Sequence, residues 1–182
     1  APTPANPPPP PPLLFSQLLD KYLYATDPAV VAGALLGVGI VCCGVRHEHD
    51  PAFALLYDFV SSDDAAIRCG AVAGLGLAYA GAARDEVAEL LVPVVADPDA
   101  PVAVAGQAAL SLGLVFAGRA HEPAVEAVLQ ALMTRPPADL ADPAARLMAL
   151  ALGLLFLRRQ GGADATLEVV DALDERIAPY AR

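Results

Sequence analysis

Short polar breaks alternate along this chain with two kinds of apolar segment. The breaks are Thr26-Asp27-Pro28, Ser62-Asp63-Asp64, Asp97-Pro98-Asp99 and Asp139 to Pro143. Asp and Ser side chains accept from the free N–H groups of a first helical turn, and proline fits that turn. Each break therefore predicts a helix start. The segment that follows is apolar all round and rich in Ala and Gly: GALLGVGIVCCG from Gly33, GAVAGLGLAYAG from Gly70, AALSLGLVFAG from Ala108 and ARLMALALGLLFL from Ala145. A helix without a polar face must be buried on every side. Glycines then mark turns at Gly44, Gly81, Gly118 and Gly161-Gly162. The second segment of each unit is amphipathic and more charged: Pro51 to Val60, Asp85 to Val95, Glu122 to Met133 and Asp164 to Ile177. The pattern predicts helix pairs, the first helix inner and the second wet on one side.

The pairs recur at a fixed step. Gly39, Gly76, Gly113 and Gly153 lie 37, 37 and 40 residues apart, and Gly44, Gly81 and Gly118 keep the step of 37. Such a period is the mark of a stacked-repeat architecture, here an all-α solenoid of about four units over residues 13–182. Glycine weakens a helix by about 1 kcal/mol relative to alanine. Its repetition implies that neighbouring backbones pack too closely for a side chain. Leu13 to Tyr24 reads as a short amphipathic helix ahead of the first pair. Residues 1–12, ending in Pro7 to Pro12, read as an extended linker or tail. The terminal repeats lack evident polar caps, which solenoids need, so the sequence reads as an arc of a longer repeat array.

Composition narrows the function. A net charge of −10 argues against nucleic-acid phosphates as partners and for a basic-rimmed protein. Three cysteines, two of them the adjacent Cys42 and Cys43, and no opening signal segment point to a reducing cytosolic or nuclear setting. Pro28 to Val45 carries no charge, and its Gly33-x-x-x-Gly37 resembles a membrane packing motif. At 18 residues it barely reaches spanning length, and the other inner segments are interrupted by Arg68 and Gln107, so a small membrane protein is the lesser alternative. The run Arg46-His47-Glu48-His49-Asp50 offers ligand types without zinc spacing. His121 stands alone, and no nucleophile-base grouping is suggested. The glycine pairs lie inside helices and lack a dinucleotide fingerprint. These features predict neither an enzyme, a metal site nor a cofactor.

The quoted glycine-rich segments, alternating with acidic amphipathic helices, resemble the proteasome/cyclosome repeat. That repeat occurs in two large scaffold subunits of the 26S proteasome regulatory particle and in the largest subunit of the anaphase-promoting complex. The stretch DKYLYATDPAVVAGALLGVGIVCCGVRHEHDPAFALLYDFV, with GLGLAYAGAARDEVAELLVPVVAD, is similar to one of the two proteasomal scaffolds, and the likeness runs from about Leu18 to Tyr180. The resemblance implies helix pairs closing into a toroid, of which four repeats form an arc, and no catalysis. It implies tethering of ubiquitin chains, of ubiquitin-like domains of shuttle receptors and of a deubiquitinase. It further implies contact with the coiled coil of the ATPase ring, in cytoplasm and nucleus. A related scaffold that organises subunits without binding ubiquitin is the alternative.

The last amphipathic helix is where a docking site is expected. At 100° per residue, Asp164, Glu168, Asp171 and Glu175 fall within about 60° of one another, opposite Leu167, Val169, Val170, Leu173 and Ile177. Acids without interleaved lysines repel one another, and a partner with an apolar patch ringed by basic residues would relieve this. Ubiquitin is such a partner. Similar helices in the family carry the ubiquitin and ubiquitin-like-domain site at positions matching Asp164, Asp171 and Glu175, with Glu168 beside them and Asp142 as a weaker candidate. A second ubiquitin-like-domain site is expected on an earlier outer helix around Asp58.

Overall fold

Two of the aspartates in the polar breaks start helices as the sequence implies. The computed structural model describes residues 19, 21–44, 50–159 and 163–172. Asp27 Oδ1 accepts from the Ala29 N–H at 2.9 Å and starts α1 (Pro28–Val41). Asp64 Oδ1 accepts from Ala66 and Ile67 and starts α3 (Ala65–Ala78). Between them lies α2 (Pro51–Tyr57), which tightens into a 3-10 turn over Asp58–Ser61. The third break behaves differently. Asp97 Oδ1 takes the Asp99 N–H at 2.9 Å in a local turn, and Pro101 becomes the N-cap of α5 (Val102–Val115). The residue before a proline is pushed out of the helical region, so Ala100 cannot belong to the helix. The fourth break holds an extra short helix, α7 (Pro137–Leu140), which absorbs the step of 40 in place of 37. Asp142 then caps a 3-10 turn, Pro143–Ala145, running into α8 (Arg146–Leu155). The outer helices are α2, α4 (Asp85–Ala96), α6 (Glu122–Thr134) and α9 (Asp164–Asp171).

The inner helices stack in one row, α1 on α3, α3 on α5 and α5 on α8. Outer helices lie over the row, α2 on α3, α4 on α5 and α6 on α8, and α4 also packs against α6. Among the described residues there is no strand. This is an all-α solenoid, as the repeat step predicts. Its core is a continuous ribbon of fully buried side chains, including Leu35, Leu56, Leu75, Leu91, Leu112, Met148 and Leu155.

What sets the helix spacing is contact between backbones. A Cβ added to Gly39 would lie 2.4 Å from the Gly74 Cα, and one on Gly70 would lie 2.6 Å from the Ala32 Cα. Gly76 faces Ser111, whose Cα would be 2.8 Å away, and Gly113 faces the Ala151 Cα at 3.0 Å. Ser111, fully buried, donates its hydroxyl to the Val72 carbonyl at 2.9 Å, so the one polar side chain at these contacts is satisfied across the row. Each helical glycine costs about 1 kcal/mol. Every Leu or Val that close approach buries returns about 1.5–3 kcal/mol, so the packing wins.

The same row is tied at its turns. Gly44, Gly81 and Gly118 all adopt φ 71°, a left-handed conformation open to glycine at little cost. The Gly81 N–H donates to the Leu114 carbonyl at 2.9 Å and the Ala83 N–H to the Val115 carbonyl at 3.0 Å. Gly118 and Ala120 do the same to Leu154 and Leu155, both at 2.9 Å. The turns at Gly81 and Gly118 thus cap the C-terminus of the next inner helix, whose last carbonyls lack intrahelical donors. In the fourth unit the left-handed position falls on Arg158, at φ 66°, 40 residues after Gly118. The turn therefore begins ahead of Gly161-Gly162, because α8 ends at Leu155. Those two glycines lie outside the described residues.

Complete burial of every inner helix does not hold at the ends of the row. Val30 and Ile40 on α1 are 40% and 59% exposed, and Leu150 on α8 is 51% exposed. Gly33 and Gly153 meet nothing within 4 Å. They repeat, one step on, the faces that interlock inside the row. Of the segment expected as a helix over Leu13 to Tyr24, Leu19 and residues 21–23 are described as helical, and a Cβ added to Gly37 would lie 3.6 Å from the Leu19 side chain. The proline run lies outside the described residues.

Interior and terminal glycines should respond oppositely to a methyl group. Gly76→Ala is expected to lower unfolding free energy by about 1–3 kcal/mol, the usual cost of overpacking. Gly153→Ala in this chain should be neutral or stabilising by up to about 1 kcal/mol. Urea denaturation of both variants checks the difference, and equal effects would contradict a row set by backbone contact.

Candidate docking surface on the outer helices

The acidic stripe expected on the last helix starts where the sequence puts it. Asp164 and Glu168 lie on α9, both exposed, while Val170 is buried on the opposite side and Thr166 half-buried. Asp171 is the last residue of α9. Glu175 lies outside the described residues, with Leu173 and Ile177. Asp142 is exposed, but its Oδ1 already accepts from the Ala144 N–H at 2.8 Å. Asp58 is exposed at the head of the 3-10 turn after α2.

The fold brings two further pairs of acids side by side, on α4 and α6, which reading the last helix alone missed. Each of three successive outer helices opens with a carboxylate and carries another four residues on: Asp85 and Glu89 on α4, Glu122 and Glu126 on α6, Asp164 and Glu168 on α9. All six are exposed. Residues four apart share a helix face, and α4 and α6 lie side by side. The first acid of each pair favours its helix through the N-terminal dipole. The signal was present in the sequence as DEVAE, EPAVE and DATLE at the head of each amphipathic segment. It becomes a surface only where α4 and α6 are known to lie side by side.

At the start of α4 and α6 the structure builds a junction that periodicity alone did not predict. An aromatic ring stands at the C-cap of three inner helices: Tyr79, Phe116 and Phe156. Five residues on, at the N-cap of the next outer helix, a basic side chain follows the first two rings. The Arg84 guanidinium sits 4.9 Å from the Phe53 ring centre and 5.0 Å from that of Tyr79, and it pairs with Asp50. The Tyr79 hydroxyl donates to the same Asp50. His121 stacks on Phe116 at 3.9 Å, accepts the Ala124 N–H at Nδ1, and approaches Asp85 within 3.9 Å through Nε2. In the fourth unit Phe156 is half-buried beside a groove of about 800 Å³ on α6. Glu122, Val125, Glu126, Leu129 and Met133 line it with Phe156.

Other chemistry does not assemble. Asp50, read with the His47-Glu48-His49 run as a loose ligand set, is the left-handed N-cap of α2, held by Tyr79 and Arg84. Residues 45–49 lie outside the described residues. Among the described residues no group of three or more His, Cys, Asp or Glu could hold a metal ion. Cys42, Cys43 and Cys69 are free thiols, and burial pushes Cys42 and Cys69 up, away from the thiolate a nucleophile or metal ligand requires. Among those residues, too, no helix is long and apolar enough to cross a membrane.

Stacked glycine-tied helix pairs with an acidic outer face define a helix-pair solenoid, and the model of the proteasome/cyclosome repeat matches residues 70–104. The chain is homologous across most of its length to one region of the 26S proteasome non-ATPase regulatory subunit 2, also named RPN1. It is 51% identical over 162 residues to homolog B of that subunit from Arabidopsis thaliana, covering 89% of this chain and 18% of the relative. Identity to the RPN1 subunit of Candida glabrata is 63% over 158 residues, 87% of this chain and 16% of the relative. To the Schizosaccharomyces pombe subunit it is 44% over 164 residues, 90% and 18%. The chain thus spans less than a fifth of the length of these relatives.

The Tyr79 junction should make stability pH-dependent. Burial, reinforced by the charge of Glu86, pushes the phenol from its usual 10 up to about 12. A folded-state pKa above the unfolded one leaves full stability below pH 10 and loses it as pH rises towards 12. Thermal melts from pH 9 to 12 should show a fall that Tyr79→Phe makes shallower. An unchanged slope would remove Tyr79 as its source.

Proposed function

We propose that this chain is a non-catalytic scaffold segment of the proteasome regulatory particle whose acidic outer face docks ubiquitin and ubiquitin-like domains. The observation that carries the reading is the band of exposed carboxylates on three successive outer helices, Asp85 and Glu89, Glu122 and Glu126, Asp164 and Glu168. Neighbouring helices pack about 8–10 Å apart, so the band is broad enough for a small domain rather than one peptide strand. Ubiquitin presents an apolar patch ringed by basic residues. Exposed acids act on such a partner mainly through encounter rate and register, and half-buried apolar side chains such as Val125 and Leu129 supply contact area.

The stripe of Asp164, Glu168, Asp171 and Glu175 is the centre of the proposed site, and the acids of α6 extend it along the solenoid. Shuttle receptors and a deubiquitinase would engage through their ubiquitin-like domains, with Asp58 in a second site on the earlier outer surface. Asp142 contributes less, its carboxylate being engaged in a cap. The coiled coil of the ATPase ring is a further partner in the assembly, in cytoplasm and nucleus. The names of the relatives support membership of a regulatory subunit.

A second reading has its own support. The first acid of each pair sits in a first helical turn, where it stabilises its own helix without any partner. On that reading the chain organises subunits and binds no ubiquitin.

NMR titration of labelled ubiquitin separates the two. Shifts around the apolar patch of ubiquitin are expected with the chain, weakened about tenfold or more by Asp164→Arg/Asp171→Arg and less by Glu122→Arg/Glu126→Arg. Both variants must keep the parent circular-dichroism spectrum. Equal shifts with all three proteins would move docking off the acidic band. No shifts at millimolar concentration would favour the pure scaffold.

A further inference from the structure

The three junctions between outer helices are successive copies of one arrangement, and among the described residues the third holds no cation. In the first, the Arg84 guanidinium is held between the Phe53 and Tyr79 rings and paired with Asp50 at the N-cap of α2. In the second, the His121 ring is stacked on Phe116 and faces Asp85, the first residue of α4. The third repeats the ring as Phe156 and the acid as Glu122, the first residue of α6. The basic residue does not recur. Arg84 and His121 stand five residues after their rings, and the fifth residue after Phe156 is Gly161. In place of a stacked base lies the groove of about 800 Å³, with Phe156 and Glu122 on its wall and Glu126 one turn along. Among the described residues that line it, none is cationic.

We propose that this groove is a slot for an arginine side chain of a partner protein, stacked on Phe156 and paired with Glu122 and Glu126. The occupant is specified by chemistry in two ways. The charge in the groove is wholly acidic, and its apolar part, Val125, Leu129 and the 66% exposed Met133, suits an aliphatic side chain next to the arginine. The filled first junction shows the arrangement the solenoid uses for a guanidinium, a ring face with a carboxylate at the N-terminus of the preceding outer helix. A planar cation gains from both ring and carboxylate where they are partly desolvated. The slot does not depend on which protein docks on the acidic band, since any partner with an arginine beside an apolar residue could use it.

The test uses the whole chain with labelled Val, Leu and Met methyl groups and a probe peptide, N-acetyl-Leu-Arg-amide. Its counterpart carries citrulline, which keeps the shape of arginine and loses the charge. Saturable shifts at Val125, Leu129 and Met133 are expected with the arginine peptide, about tenfold weaker with citrulline. Glu122→Gln, which keeps size and helix position, should weaken binding, as should Phe156→Leu, which keeps apolar packing and removes the ring face. Equal response to both peptides, or none up to tens of millimolar, would overturn the proposal. So would a change at the same methyls when Arg176→Gln is made in the peptide-free chain, since the slot would then be filled from within. Because ubiquitin takes no part, failure here leaves the ubiquitin titration unaffected.

Discussion

Backbone contact between inner helices is the constraint from which the rest of this structure follows. Gly39 against Gly74 and Gly76 against Ser111 leave no room for a side chain at the first residue of each pair, and Gly113 against Ala151 leaves little. That contact fixes the spacing of the row, and a fixed spacing lets the turn at Gly81 reach the carbonyl of Leu114 and the turn at Gly118 that of Leu154. The turns in turn decide where each outer helix begins. Asp85 and Glu122 can stand side by side along the outside because the inner row beneath α4 and α6 repeats in register. A surface charge pattern is thus a consequence of packing some distance beneath it.

Much of this was legible in the sequence because the constraint is periodic. A step of 37 residues in glycine, read with all-apolar and amphipathic segments, was enough for inner and outer helices and for the solenoid. What escaped were features set by neighbours in space. Pro101 moved the third inner helix start from the aspartates to Val102, a local effect of proline on Ala100. Arg158 took the left-handed turn position that the sequence suggested for Gly161-Gly162, because the turn keeps its distance from the helix end whatever residue falls there. Burial of the inner helices was overestimated at the ends of the row, where Ile40 and Leu150 are exposed.

The proposed docking surface was legible only in part. Asp164 and Glu168 stand exposed on one helix as their spacing implied. Glu122 and Glu126 entered through the neighbourhood of outer helices, and the junction of Phe156 and Glu122 through comparison of one repeat with the next. A site of this kind needs no catalytic group. It needs carboxylates held at fixed spacing, and those of α4 and α6 stand on helices packed over the inner row.

The central claim is that successive repeats are locked by their turns as well as by their glycines, and hydrogen exchange tests it most directly. Gly81 and Gly118 are turn residues, yet their amides donate to carbonyls of the next inner helix at 2.9 Å. The account predicts that both amides exchange as slowly as those in the middle of α5. Exchange as fast as that of a turn amide without a hydrogen-bond acceptor would mean that the repeats merely lean on one another, and would contradict the account.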